Sequence, residues 1–244
     1  MILFRSIIFF VLMVVNTALF GLYLATAGWL LPFSGRSKVA NLWARSNLAL
    51  LKIICGLTYE VVGQENIPIV NTIVLSKHQS AWETIALRCI LPPEQTWVLK
   101  RELMRIPIFG WALAAAEPIA IDRKSGRRAA SQIIELGYKR LKQGRTVVIF
   151  PEGTRVAPGN HKKYGMGGAL LAEKTGYSVL PVAHNAGIFW RRRGIKKYPG
   201  TINVVIGPVI ESNGLSAVEI NKRAENWIEN TLAALPQERV NGQL

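Results

Sequence analysis

Thr146-Val147-Val148-Ile149-Phe150-Pro151-Glu152-Gly153-Thr154-Arg155 is the stretch that decides how this chain is read. Four β-branched residues and a phenylalanine, bounded by Gly144 and Pro151, form the short apolar run of a fully buried strand. The segment before it, 127–143, carries apolar residues at helical spacing and ends in Lys142-Gln143-Gly144, a usual stop signal. The segment after it changes character. Gly153 permits a positive φ or the close approach of a ligand. Arg155 presents a planar five-donor fork suited to phosphate. A buried strand that delivers such a loop at its carboxyl end is where open α/β sheets place their chemistry.

The same alternation extends in both directions. β-Branched runs occur at 59–62, 72–75, 96–99, 119–121, 178–183 and 202–206, and helical patterns at 82–90, 168–174 and 217–235. Ser216 and Glu219 stand at capping-box spacing ahead of the last helix. The expected fold class is α/β, a layered sheet, mostly parallel or mixed, with helices on its faces. No linker or internal repeat divides the chain after its first 57 residues. The expected organisation is a membrane-anchoring helical region over 1–57 and one domain over 58–244.

The amino end differs in composition. Arg5 is the only charge within 1–33, and 7–31 is nearly continuous apolar sequence. A helix of about 25 residues at about 1.5 Å each is long enough to cross a bilayer with tilt. The run exceeds the ~7–15 residues of a signal-peptide core and continues past the A-x-A-like Ala25-Thr26-Ala27. Arg36, Lys38, Arg45 and Lys52 follow it, which places the domain on the cytoplasmic side of the inner membrane. A second helix is expected over 37–56. The pair reads either as a spanning helix with an interfacial one, or as a monotopic two-helix hairpin. Removal of 1–33 is expected to weaken membrane attachment and leave the domain folded.

Thirty Lys and Arg against fifteen Asp and Glu give a net charge of +15. The clusters are Arg123-Lys124 with Arg127-Arg128, Lys139-Arg140 with Lys142 and Arg145, and Arg191-Arg192-Arg193 with Lys196-Lys197. No helix-turn-helix, zinc-finger or aromatic RNP-type signature accompanies them, so nucleic acid is not the expected partner. Anionic membrane lipids are, at about 1 kcal/mol per basic residue near the surface. Trp190 reads equally as an interfacial anchor or as core. Two cysteines cannot build a disulfide scaffold or a four-ligand zinc site. Cys55 and Cys89 are expected as buried thiols, and no metal site is expected.

His78 directly follows the 72–75 strand, and Glu83 lies five residues on. On one regular helix that spacing turns the two apart. They meet if His78 sits in the strand-to-helix turn and Glu83 in the first helical turn. Glu83 then orients one ring nitrogen and leaves the other as a general base. Ser80, Cys55 and Cys89 lack a second base at recognisable spacing, which argues against a covalent nucleophile.

Taken in order, His78 with Glu83, Ile121-Asp122-Arg123, Glu152-Gly153-Thr154-Arg155 and Leu180-Pro181-Val182 resemble the four motifs of the glycerolipid acyltransferases. The segments 100–103 and 106–110 resemble a loop of the branch that acylates lysophosphatidic acid. The similarity runs from about residue 73 to 206, with an apolar amino end of the kind such enzymes carry. Two positions depart from the pattern: Glu83 stands where the family has Asp, and Lys77 where Asn often precedes the histidine. Glu is one methylene longer and keeps the pairing if the helix shifts slightly.

The resemblance implies a glycerol-3-phosphate acyltransferase-like fold. It implies direct acyl transfer from acyl-CoA or acyl carrier protein to the sn-2 hydroxyl of lysophosphatidic acid, giving phosphatidic acid without a cofactor. It makes His78 the base and Glu83 its partner. Arg155 and Arg123 clamp the acceptor phosphate with Lys100 near it, and Glu152, Gly153 and Thr154 shape that pocket. The residues alone leave Arg123 open as a solvated member of a basic run. The alternatives are an acyltransferase for a lyso-ornithine lipid or another lysophospholipid, and a non-catalytic basic protein tethered to the membrane.

Overall fold

The computed structural model describes residues 1–122 and 125–238. The strands are β1 (Leu57–Val62), β2 (Ile73–Ser76), β3 (Gln95–Lys100), β4 (Ile119–Ile121), β5 (Thr146–Ile149), β6 (Val179–His184) and β7 (Gly200–Ile206). All seven expected strand runs are strands, and they lie in one sheet of order β1-β7-β6-β2-β5-β3-β4. Neighbours pair in parallel throughout except β6 and β7, which are antiparallel. The sheet is therefore mixed, a five-strand parallel block with β7 and β1 reversed beside it.

The helices are α1 (Ile2–Thr26), α2 (Phe33–Cys55), α3 (Trp82–Ile90), α4 (Phe109–Ala115), α5 (Arg127–Lys142), α6 (Gly167–Thr175), α7 (Ala186–Phe189) and α8 (Ala217–Ala234). Side chains alternate across a strand, and the central strands divide their apolar residues accordingly. Ile73, Leu75, Val147 and Ile149 face α5, α6 and α8 through Ile133, Leu141, Leu171, Ile220 and Ile228. Val74, Val148, Leu180 and Val182 face α1, α2, α3 and α7 through Phe9, Leu51, Trp82 and Phe189. Helices thus cover both faces of the sheet, in three layers.

Local chemistry sets the helix ends. The Ser216 hydroxyl accepts from the Glu219 amide at 3.2 Å. Glu219 turns its carboxylate to Arg223 instead of back to the cap, so only half of the expected capping box forms. Gly56 ends α2 in the left-handed region, with φ +65°. α4 was not evident in the sequence. It carries no capping side chain and is bracketed by Ile108 and Glu117, two non-glycine residues at φ +62° and +48°.

α1 and α2 form an antiparallel hairpin that packs on the sheet domain, with α1 against both α2 and α4. Phe9 is fully buried and meets the Trp190 ring edge-on at 5.6 Å. The Ser6 hydroxyl accepts from the Lys197 amide at 2.8 Å. Ser6, Phe9, Gly21 and Leu24 of α1 are therefore buried against the rest of the protein, contacts that bear on the expected separability of 1–33. Along the rest of α1, Leu3, Phe4, Phe10, Val11, Leu19 and Leu22 are exposed. Its length and composition suffice to cross a membrane.

Several surface expectations change. Trp190 is core, at 5 % exposure. Lys197 is buried, its ammonium over the Phe9, Phe10 and Trp190 rings and donating to Ile195 O at 2.8 Å. Arg140 and Arg145 converge with Arg36 on the carboxylate of Glu117, at 2.7 to 2.9 Å, so they are not free surface cations. Cys55 is buried as expected, whereas Cys89 is only half-buried.

Candidate active site

β2 ends at Ser76, and the chain turns through Lys77–Ala81 before α3 begins. That turn brings His78 and Glu83 together. His78 Nδ1 lies 2.8 Å from Glu83 Oε1, and the same oxygen accepts from the Gln79 and Ser80 amides at 2.8 and 2.7 Å. Those amides do what a helix cannot at five-residue spacing: they fold the turn around the carboxylate. Glu83 is fully buried. Burial opposes its ionisation, but the imidazoles of His184 and His78 and the bonds from His78 and the Ser80 amide hold it below the usual carboxylate range. The His78 ring stacks on Phe150 at 4.0 Å and 15°. Its Nε2 has no hydrogen-bond partner among the described residues, and the side chain lines a cavity of about 550 Å³.

Behind His78 lies a buried charge network. The His78 amide donates to Glu152 Oε2 at 2.7 Å, and Val156 N donates to the His78 carbonyl at 2.8 Å. The loop after β5 therefore grips both sides of the histidine backbone. The Lys77 ammonium lies 2.7 Å from Glu152 Oε1 and 2.7 Å from Glu229 Oε1 of α8. Tyr164 OH donates to the same Glu229 oxygen at 2.8 Å. Burial pushes the Glu152 carboxyl up to about 7, with Lys77 opposing. His184, also buried, donates from Nε2 to Lys77 O at 2.9 Å and receives the Ala186 amide at Nδ1. Lys77 thus has a built role in this chain, and Asn at that position does not reach as far.

Gly153 has φ +67°, and its amide donates to Phe150 O at 3.0 Å. A Cβ there meets nothing within 4 Å, so conformation alone calls for glycine. The turn sets Thr154 and Arg155 on the cavity wall. Lys100 lines the cavity from the end of β3, and Arg192 and Arg193, singled out only as part of a basic cluster, line it too. Arg192 Nη1 donates to Arg155 O at 2.9 Å. Glu152 and Gly153 stand behind that wall and do not line it. Arg123 lies outside the described residues, just past the end of β4.

The rest of the wall, apart from Arg88 and Thr84 of α3, is mostly apolar and comes from distant parts of the chain. Thr17, Phe20, Gly21 and Leu24 of α1, Trp43 of α2, Trp97 of β3, and Phe109, Ala112 and Leu113 of α4 enclose it. Among the described residues no Asp or Glu lines the cavity. None of those residues gather as three His, Cys, Asp or Glu side chains able to hold a metal ion. The site offers an oriented imidazole at the junction of exposed cations and a long apolar chamber. That suits an amphiphile with an anionic head.

Comparison with known proteins agrees with this arrangement. A model of the acyltransferase family matches residues 58–185. A 1-acyl-sn-glycerol-3-phosphate acyltransferase of Pseudomonas aeruginosa is 43% identical over 242 residues, 97% of this chain and 94% of the relative. One of Borreliella burgdorferi is 28% identical over 75% of this chain and 73% of its own. The crystal structure of the 1-acyl-sn-glycerophosphate (LPA) acyltransferase of Thermotoga maritima shares the fold. Its TM-score is 0.77 at 23% identity, over 96% of this chain and 95% of that one. Family model, full-length relative and shared fold coincide on the segment that carries His78 and Glu83, and this chain belongs to the acyltransferase family.

Proposed function

We propose that this enzyme transfers an acyl group from acyl-CoA or acyl carrier protein to the sn-2 hydroxyl of lysophosphatidic acid, forming phosphatidic acid without a cofactor. The carrying observation is the His78–Glu83 pair opening onto a chamber with cations and apolar surface but, among the described residues, no carboxylate on its wall. The relatives named 1-acyl-sn-glycerol-3-phosphate acyltransferase support the choice of acceptor.

In this reading His78 Nε2 takes the hydroxyl proton as the oxygen attacks the thioester carbonyl. Glu83 stabilises the imidazolium. Collapse of the tetrahedral intermediate breaks the C–S bond, and the thiolate leaves with the proton returned from Nε2. Arg155 and Lys100 hold the acceptor phosphate, a role that the family resemblance also gives Arg123, and the chamber takes acyl chain. Glu152 and Gly153 serve the pocket from behind, the first by holding the histidine backbone and the second by turning the loop.

The α1–α2 hairpin anchors the enzyme to the cytoplasmic face of the inner membrane, in one leaflet. Packing of α1 on α2 and α4 supports this over a spanning helix with a separate interfacial one. So do the exposed Trp29, Leu30, Ile106 and Trp111, which lie on or next to segments that pack against α1. The domain boundary at residue 57 is then one of origin in the sequence, with both regions enclosing the chamber.

The test is thiol release by purified enzyme from acyl-CoA and from acyl carrier protein, with lysophosphatidic acid, a lysophospholipid and a lyso-ornithine lipid as acceptors. Release dependent on lysophosphatidic acid is expected. Equal rates with the other acceptors would remove the acceptor assignment, and no release with any would favour a binding protein.

A further inference from the structure

Arg88 belongs to α3, five residues after Glu83 and four after Thr84. Its side chain lines the same cavity as Thr84 and Trp97, yet only 8 % of it is exposed. Its guanidinium carbon lies 5.9 Å from the centre of the Trp97 ring. Nη1 is buried and has no hydrogen-bond partner among the described residues, and none of their carboxylates forms an ion pair with it. Glu83, the acid of the same helix, is turned to His78 and the Gln79 and Ser80 amides. Nor is the side chain needed to close the helix, since Gln95 Nε2 caps the carbonyls of Leu87, Arg88 and Leu91.

Burial pushes the guanidinium down to about 10, so it is a cation at neutral pH. A buried cation whose Nη1 has no hydrogen-bond partner destabilises a fold, because the Trp97 face offsets only part of its desolvation. The energy is recovered only when a ligand oxygen reaches Nη1. The acceptor phosphate is the wrong ligand. Lys100 is exposed and Arg155 half-buried, a setting for a solvated dianion, whereas Arg88 is buried over the Trp97 ring, where burying a dianion is far more unfavourable than burying a carbonyl.

Position narrows the choice further. Arg88 lies about 6 Å along the axis beyond Thr84, and long helical side chains lean back toward the amino end. The guanidinium sits over Trp97, whose ring lies 5.7 Å from Phe150, on which the His78 ring stacks, so an aromatic row joins Arg88 to the His78 end of the chamber. An ester carbonyl on the neighbouring carbon of a glycerol whose hydroxyl meets His78 falls in that region. The thioester carbonyl lies closer, at the reacting atom itself.

We propose that Arg88 is a substrate-binding residue whose guanidinium holds the sn-1 ester carbonyl of the acyl-glycerol acceptor, an assignment that rests on the acceptor reading above. Arg88 then selects acceptors with an ester-linked chain over those with an ether-linked chain.

The experiment compares 1-acyl- and 1-O-alkyl-glycerol 3-phosphate, which differ by that carbonyl, in wild type, Arg88→Met and Arg88→Lys. Wild type is expected to prefer the ester by about 10–100-fold in kcat/KM, the range of a hydrogen bond to a charged group. Arg88→Met should lose that factor with the ester alone, bringing the preference near one, and Arg88→Lys should fall between. The Tm of Arg88→Met without substrate should match or exceed wild type, since an incompletely offset buried charge is gone.

Equal turnover of ester and ether by wild type overturns the assignment while leaving the acceptor reading intact. A preference that survives in Arg88→Met overturns it also. A defect confined to the donor KM gives Arg88 to the thioester instead. A lowered Tm with unchanged preference makes the guanidinium a structural cation. No turnover of either acceptor by wild type removes the acceptor reading and this assignment together.

Discussion

The Lys77 ammonium and Glu152 Oε1 lie 2.7 Å apart with no side-chain surface exposed, directly behind the residue that carries the imidazole. An ion pair so fully desolvated gains little over an apolar pair, but breaking it leaves a stranded charge, at about 3–5 kcal/mol. Lys77→Met strands both Glu152 and Glu229. At about 2–4 °C per kcal/mol for a chain of this size, a calorimetric scan should show Tm lower by roughly 6–20 °C. A shift under a degree or two would mean that the network carries no such energy.

The pH dependence of stability has a specific sign. The unfolded Glu152 carboxyl titrates near 4.5 and the folded one near 7. Between those values the folded state binds the extra proton, so this group's stabilisation is full below about 4.5 and declines as pH rises through 7. Glu83 works oppositely. Its depressed value stabilises above the ordinary carboxylate range, and that contribution is lost as pH falls below it. The declining component between pH 4.5 and 7 should disappear in Glu152→Gln. The same slope in variant and wild type would dismiss this account.

Substitution at the pair should separate charge from geometry. His78→Ala is expected to lower kcat by about 10²–10⁴-fold or more, the usual contribution of a positioned base, with the melting curve retained. Glu83→Gln keeps an acceptor for the Gln79 and Ser80 amides but loses the charge that favours the imidazolium. Glu83→Asp keeps the charge and should retain more activity than Glu83→Gln. Near-normal turnover in His78→Ala would end the base mechanism.

Deletion of residues 1–33 removes Phe9 from its contact with Trp190, Ser6 from the Lys197 amide, and four residues from the cavity wall. Loss of one buried phenylalanine alone costs about 3–5 kcal/mol. The truncated protein should lose its cooperative melting transition or show a strongly lowered one. Transfer should be lost even toward detergent-solubilised acceptor. A folded, active truncated enzyme would return α1 to the role of a detachable anchor.

The strands were legible because each is a β-branched run bounded by turn residues, and local patterning suffices for that. Sheet order was not, since β1 pairs with β7 across more than half the chain. α4 escaped notice because a short apolar run after Pro107 without a cap has no distinctive period. His78 and Glu83 were legible because five residues of one turn hold both. Lys77 read as a departure from a motif, and its reason lies in Glu229, 152 positions away. Arg140 and Arg145 read as surface charge for the same cause: Glu117, which gathers them, gives no sign of it in its own neighbourhood. Arg88 is not legible at all, since nothing about a single arginine in a helix shows that its Nη1 lacks a partner.

The distance between Lys77 and Glu229 also has a consequence for biosynthesis. The chain emerges amino end first, so the apolar hairpin reaches the membrane long before α8 exists. At about 5–20 residues per second, roughly 8–30 s pass between synthesis of Lys77 and of the carboxylate of α8 that binds it. During that interval the histidine loop has no finished support. On the proposed anchoring, a nascent chain is held at its lipid surface while still inert, and it becomes competent only once α8 has been made.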